Sequence, residues 1–217
     1  LKVLEAKGLK AEMAAGLSLG EYAALAAAGV MELPDLFRII RMRGIYMQEA
    51  YPEGGAMTAV LGLDGDAVAA ICEQTAKETG KVVSVANYNC PGQIVITGEA
   101  DAVEAASEAL KETGAKRCIP LKVSGPFHSA LLKNAGEQLA EELKSVKLST
   151  PWIPYVSNVT ADYVTDASQV AELLKQQVSS PVHFTQSVER MIADGVDTFI
   201  EIGPGKTLTS FVRKIDR

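Results

Sequence analysis

A chain of 217 residues is long enough to bury a real core, as one large domain or two smaller ones. Its 47% apolar and 22% charged composition is that of a globular protein, and a net charge of -6 argues against nucleic acid or an anionic membrane as the main partner. No apolar run has the length of a bilayer span and the first residues do not read as a secretory leader; with three scattered cysteines, Cys72, Cys90 and Cys118, this predicts a reducing, cytoplasmic setting and no metal-ligand spacing.

In chain order, residues 1–9 read as the end of a helix closed by Gly8, and 10–16 as a short buried strand. An alanine-rich helix over 22–28 ends at Gly29. Pro34 opens a third helix, 36–50, with apolar residues at near-helical spacing, and Pro52-Glu53-Gly54-Gly55 breaks it. From Gly55 the pattern changes. Strands over 56–61, 81–87, 93–98 and 116–123 alternate with helices over 64–79 and 101–113, a β-α-β-β-α-β unit with a turn at Asn89-Cys90-Pro91-Gly92. Residues 123–128 read as a loop and 129–146 as an amphipathic helix. A strand over 151–157, a turn over 158–165, helices over 167–178 and 181–193, a strand over 198–202 and a last helix complete the reading. The expected organisation is α/β, with a large subdomain in 1–54 and 124–217 and a small one inserted at 55–123. Both ends fall inside helical patterns, so the chain reads as a fragment of something longer.

The candidate chemistry starts at Gly16-Leu17-Ser18-Leu19-Gly20. Gly-x-Ser-x-Gly is the strand-to-helix turn that lifts a serine hydroxyl above a parallel sheet, with the glycines allowing backbones to pack closely. By itself the pattern fits a nucleophile or a plain tight turn. A nucleophilic serine needs a base. Of the two histidines, His128 in the loop Gly125-Pro126-Phe127-His128-Ser129 is preferred over His183, because rigidly anchored loops tend to carry catalytic groups. No Asp or Glu stands out as a third member. Arg43, flanked by apolar residues and followed by Gly44, reads as a buried guanidinium able to fork onto a carboxylate; Arg38 and Arg41 read as a solvated face. Asn89 and Gln93 flank the turn of the small unit. Gly203-Pro204-Gly205-Lys206 lacks a full phosphate-loop pattern and reads as a turn.

Taken together and in order, these pieces resemble the malonyl-CoA:acyl carrier protein transacylases of fatty acid synthesis. The resemblance rests on Gly16-Leu17-Ser18-Leu19-Gly20-Glu21-Tyr22, Met42-Arg43-Gly44 with Met47-Gln48, Asn87-Tyr88-Asn89-Cys90-Pro91-Gly92-Gln93 and Gly125-Pro126-Phe127-His128-Ser129-Ala130-Leu131. It continues through Val156-Ser157-Asn158-Val159-Thr160-Ala161, Gln177 ahead of Ser180-Pro181-Val182, and Glu201-Ile202-Gly203-Pro204-Gly205-Lys206, and so covers the whole chain.

The resemblance implies an α/β-hydrolase-like large subdomain with an inserted ferredoxin-like small one. It implies Ser18 as nucleophile and His128 as its base, oriented by a backbone carbonyl near Gln177 instead of an aspartate. Arg43 would clamp the malonyl carboxylate, and the Leu19 N–H would supply half of an oxyanion hole. Phe127 would leave little room for an α-methyl, and Asn89, Asn158 and Gln177 would complete the substrate-binding set. The implied substrates are malonyl-CoA and acyl carrier protein, with no cofactor and no metal.

Two departures stand out. Leu17 replaces the histidine of many members, and nothing matches the family's first strand and Gly-Gln-Gly loop, the source of the second oxyanion donor. Rival readings are an acyltransferase domain of a polyketide-type synthase, a serine hydrolase, and a non-catalytic binder of carrier protein.

Overall fold

The computed structural model describes residues 1–123 and 125–216, without the side chain of Lys2. Ser124, in the loop read over 123–128, and Arg217, in the last helical pattern, lie outside the described residues.

The first part of the chain runs α1 (Lys2–Ala6), β1 (Ala14–Ala15), α2 (Leu19–Ala27) and α3 (Leu33–Ala50). The small unit follows as β2 (Gly55–Leu61), α4 (Gly65–Thr79), β3 (Val83–Cys90), β4 (Gln93–Glu99), α5 (Ala100–Glu112) and β5 (Arg117–Pro120). Its sheet order is β3-β4-β2-β5 and every pairing is antiparallel, the ferredoxin-like arrangement expected of a split β-α-β unit. The remainder holds α6 (Lys133–Leu143), β6 (Tyr155–Val156), β7 (Tyr163–Val164), α7 (Ala167–Gln177), α8 (Phe184–Ala193) and α9 (Thr207–Ile215). β1 pairs parallel with β6, and β7 adds antiparallel.

Strand alternation gives the small sheet two different faces. Val60, Ile94 and Ile96 point to α4 and α5 and pack with Val68, Cys72, Val103, Ala106 and Leu110. Met57, Ala59, Ala86 and Val95 point the other way and meet Phe127. That second face forms a wall of the cleft between the subdomains. Across it, Tyr22, Leu25, Ile39, Leu132, Leu139, Tyr155 and Leu174 form the core that fixes α2, α3, α6 and α7.

Local chemistry sets the helix ends. Asp64 caps α4 by accepting from the Ala67 N–H at 2.8 Å, and Gly80 closes it with φ 68°, a conformation that a side chain would strain. Asp64→Ala is expected to cost about 1 kcal/mol of stability, read as a shift in urea midpoint at unchanged slope.

Several elements differ from the sequence reading. The strand read over 10–16 narrows to Ala14–Ala15, and that over 151–157 to Tyr155–Val156. The turn over 158–165 contains β7, because Val156 and Tyr155 draw Tyr163 and Val164 into register. The helix read over 129–146 opens with a tighter turn at Ala130–Leu132. Residues 181–183 are extended: the Val182 N–H donates to the Ala86 carbonyl at 2.8 Å, and the Tyr88 N–H donates to the Val182 carbonyl at 2.9 Å. β3 thus captures this segment and delays α8 until Phe184. Residues 198–202 form no strand among the described residues; Ile200 and Ile202 are more than half exposed.

Candidate active site

Ser18 sits between β1 and α2 with φ 52° and ψ -104°, a backbone region that costs a non-glycine residue about 1–3 kcal/mol. Gly16 makes this turn possible. A Cβ there would lie 2.0 Å from both the carbonyl carbon and oxygen of Gly20. The requirement is one-sided: a Cβ on Gly20 would meet open space, so Gly20 serves as the surface that Gly16 approaches, which corrects the expectation that both positions exclude side chains.

Asn158 fastens both ends of the turn. Its Nδ2 donates to the Gly16 carbonyl and its Oδ1 accepts from the Ser18 N–H, each at 2.6 Å. Gln177 Nε2 donates to the Ser18 carbonyl at 3.0 Å. These bonds offset the strain and hold the hydroxyl toward the cleft.

His128 arrives on the loop after β5, also at positive φ (62°). Gly55 lets this loop lie against the start of β2, since a Cβ there would come within 2.4 Å of the Pro126 ring. Ser129 Oγ closes the loop onto the Pro126 carbonyl at 2.7 Å. The imidazole is 4% exposed. Its Nδ1 lies 2.8 Å from the Gln177 carbonyl oxygen, which can only accept, so Nδ1 carries the proton. The Nε2 lone pair then faces Ser18 Oγ at 2.7 Å. A carbonyl fills the place an aspartate would take, consistent with no acid standing out in the sequence.

Burial, and next the charge of Arg43, push the imidazole down to about 4, against backbone interactions with Gln177 and Ser180 that raise it. The free base is therefore neutral, and ready to accept a proton, throughout the neutral range. The sign follows: protonation sets in only as pH falls toward about 4. The C2 proton of His128 should show no NMR titration between pH 8 and about pH 5; a midpoint near the ordinary 6.5 would contradict this environment, with a His183→Gln variant supplying the assignment.

Arg43 projects from α3 and is 6% exposed. One guanidinium nitrogen donates to Ser18 Oγ and to Gln177 Oε1, both at 3.1 Å. Its Nε is buried without a partner, and its Cζ lies 5.5 Å from the centroid of the Tyr22 ring. A buried cation of this kind favours an incoming anion, because its desolvation is otherwise poorly offset.

Ser18, Arg43, Phe127 and His128 line one cavity of about 320 Å³ with Leu17, Gly44, Met47, Gln48, Met57 and Asn87. Gln177 and Asn158, expected on the substrate, instead stand behind this wall with their amides engaged. Leu19 opens α2, so its N–H is a first-turn donor at the positive end of the helix, while its side chain is exposed. Asn89 is buried away from the cavity, and Asn87, two residues earlier on the irregular part of β3, is in the wall. His183 stacks on Tyr88 with ring centroids 5.1 Å apart and takes no part. Sequence reasoning missed Asn87, Met57 and Glu21. Alternation along β2 could have found Met57; a bulge between Val85 and Asn87 breaks the alternation of β3 and turns Asn87 to the cleft, and no local signal pointed to Glu21.

Several known proteins are close to this chain in sequence and shape. The malonyl CoA-acyl carrier protein transacylase of Bacillus subtilis is 49% identical over the full chain, which spans 68% of that protein. The Escherichia coli protein of the same name is 47% identical over 99% of the chain, which covers 69% of it. Among solved structures, an acyl carrier protein S-malonyltransferase from Vibrio cholerae superposes with a TM-score of 0.95 at 44% identity, over 99% of this chain and 70% of that one. A malonyl-transacylase in complex with a type II polyketide synthase acyl carrier protein matches with a TM-score of 0.95 at 43% identity, over 99% of this chain and 69% of that one. With the acyl transferase domain family matching residues 1–215 as well, the chain belongs to that family.

Proposed function

We propose that this chain transfers the malonyl group of malonyl-CoA to the phosphopantetheine thiol of acyl carrier protein, in fatty acid synthesis, by way of a malonyl ester on Ser18. The observation that carries this reading is the meeting of an imidazole and a buried guanidinium on one hydroxyl, Ser18 Oγ. A simple ester hydrolase needs the first and has no use for the second.

In the first half-reaction Ser18 Oγ attacks the thioester carbonyl and His128 Nε2 takes its proton. The oxyanion develops where α2 presents the Leu19 N–H, a donor whose loss would cost roughly 3–4 kcal/mol. The bond to sulfur breaks, and His128 returns the proton to the CoA thiolate. In the second half-reaction the carrier thiol gives its proton to His128 and attacks the malonyl ester, and Ser18 leaves with that proton. Arg43 pairs with the free malonyl carboxylate throughout. The ring of Phe127, packed on Met57, Ala59, Ala86 and Val95, limits the space beside the malonyl methylene. We place the reaction in the cytoplasm; the steps draw on no cofactor. Residues 55–123 act as the insert that supplies the second wall.

Incubation with malonyl-CoA should leave an ester-linked malonyl group on the peptide containing Ser18. Holo acyl carrier protein, of fatty acid or polyketide type, should then remove it as malonyl carrier protein. Steady release of free malonate would establish a hydrolase instead, and absence of the ester would favour a carrier-protein binder or an inactive fragment.

A further inference from the structure

Among the described residues, Glu21 is the one buried carboxylate, fully enclosed on the first turn of α2. Its Oε2 accepts from Gln177 Nε2 at 2.6 Å and from the Asn158 N–H at 3.3 Å. Those two residues do the fastening described above. Gln177 orients His128 through its carbonyl, Arg43 through Oε1 and Ser18 through Nε2; Asn158 holds both ends of the Ser18 turn. All three reacting groups therefore trace back, through one intermediary each, to a single carboxylate 3 residues after the serine. We propose that Glu21 is a positioning residue for the transfer reaction, setting the relative placement of hydroxyl, imidazole and guanidinium through Gln177 and Asn158.

Charge agrees with this geometry. Burial raises the Glu21 carboxyl to about 7, while Gln177, Asn158 and Arg43 oppose the rise. Both protonation states are thus accessible near neutrality, and both present an oxygen that can accept from Gln177. Oε1 is buried without a partner, as are the hydroxyls of the neighbouring Tyr22 and Tyr155. An amide in place of the carboxylate keeps the acceptor for Gln177 and sets its NH2 in the space of Oε1.

The proposal rests on Ser18 as the nucleophile, so its test uses a probe that does not depend on malonyl-CoA. Phenylmethylsulfonyl fluoride is attacked at sulfur by Ser18 Oγ; fluoride leaves and His128 takes the proton. Labelling is followed at a temperature well below each variant's unfolding midpoint. Glu21→Ala should slow labelling roughly 100-fold, the scale of a 1 Å misplacement of reacting groups. Glu21→Gln should recover it to within a few-fold. In malonyl transfer the Ala loss should fall on kcat more than on KM. Where Glu21→Ala does not fold, Glu21→Asp carries the test, since it keeps the charge but withdraws the acceptor by one methylene, with an expected loss of about tenfold. A folded Ala or Asp variant labelled at the wild-type rate, or a Gln variant as slow as Ala, overturns the proposal. Wild-type protein that is labelled but transfers no malonyl group defeats the proposed function, while the labelling rates of the variants still decide whether Glu21 positions the Ser18 hydroxyl and the His128 imidazole.

Discussion

Ser18→Ala should eliminate the malonyl ester and lower transfer by roughly 10⁶-fold, the scale at which a serine nucleophile acting as a unit with its base is lost. The structure explains why no neighbouring group compensates. The oxygen that donates to His128 Nε2 at 2.7 Å and accepts from Arg43 at 3.1 Å is removed. The Asn158 and Gln177 bonds go to the Ser18 backbone and survive the change, so the fold should be retained. Relief of hydroxyl burial is small, while φ 52° strains alanine as much as serine. An unfolding midpoint close to wild type, combined with complete loss of the ester, is the expected pair of measurements. Residual ester on Ser18→Ala would move the nucleophile elsewhere.

Arg43→Ala should separate malonyl from acetyl transfer. Truncating one partner of a buried charge pair costs about 2–5 kcal/mol, so kcat/KM with malonyl-CoA should fall by about 30- to 5,000-fold. Acetyl-CoA offers the guanidinium no carboxylate. In the wild type it leaves a buried cation poorly matched, and the variant removes that penalty while losing the donation to Ser18 Oγ. Those two changes oppose each other, so acetyl transfer should move by less than about tenfold. The informative quantity is the ratio of the two kcat/KM values. Equal losses with both substrates would remove the clamp role and leave Arg43 as a partner of Ser18 and Gln177.

The parts of this molecule that were legible in its sequence are those determined by short-range chemistry. The β-α-β-β-α-β unit follows from alternation and helical spacing within 70 or so residues, and its antiparallel sheet has the implied order. Gly16 and Ser18 announce the turn because a close backbone approach leaves a local mark. The scaffold behind the site left none. Asn158 reaches Gly16 across 142 positions and Gln177 reaches Glu21 across 156, and nothing near either end predicts the meeting. Gln177 and Asn158 were singled out through family resemblance, yet their amides serve the turn and the base. Residues 198–202 carry strand-like composition, but a strand is defined by hydrogen-bonded neighbours, and composition cannot supply those. The onset of α8 was misplaced for a related reason: Val182 follows β3, not its own helical pattern.

That capture of Val182 has a mechanical consequence. Two amides stitch the backbone just beyond Gln177 to the edge of the small sheet, so the lobe carrying the imidazole's orienting carbonyl cannot slide past the lobe bearing Asn87 without tearing both stitches. A bulky thioester then enters past the exposed side chain of Gln48, with the two lobes holding station. In deuterium exchange the Tyr88 and Val182 amides should accordingly rank with the slow interior protons, whether or not the cleft is filled.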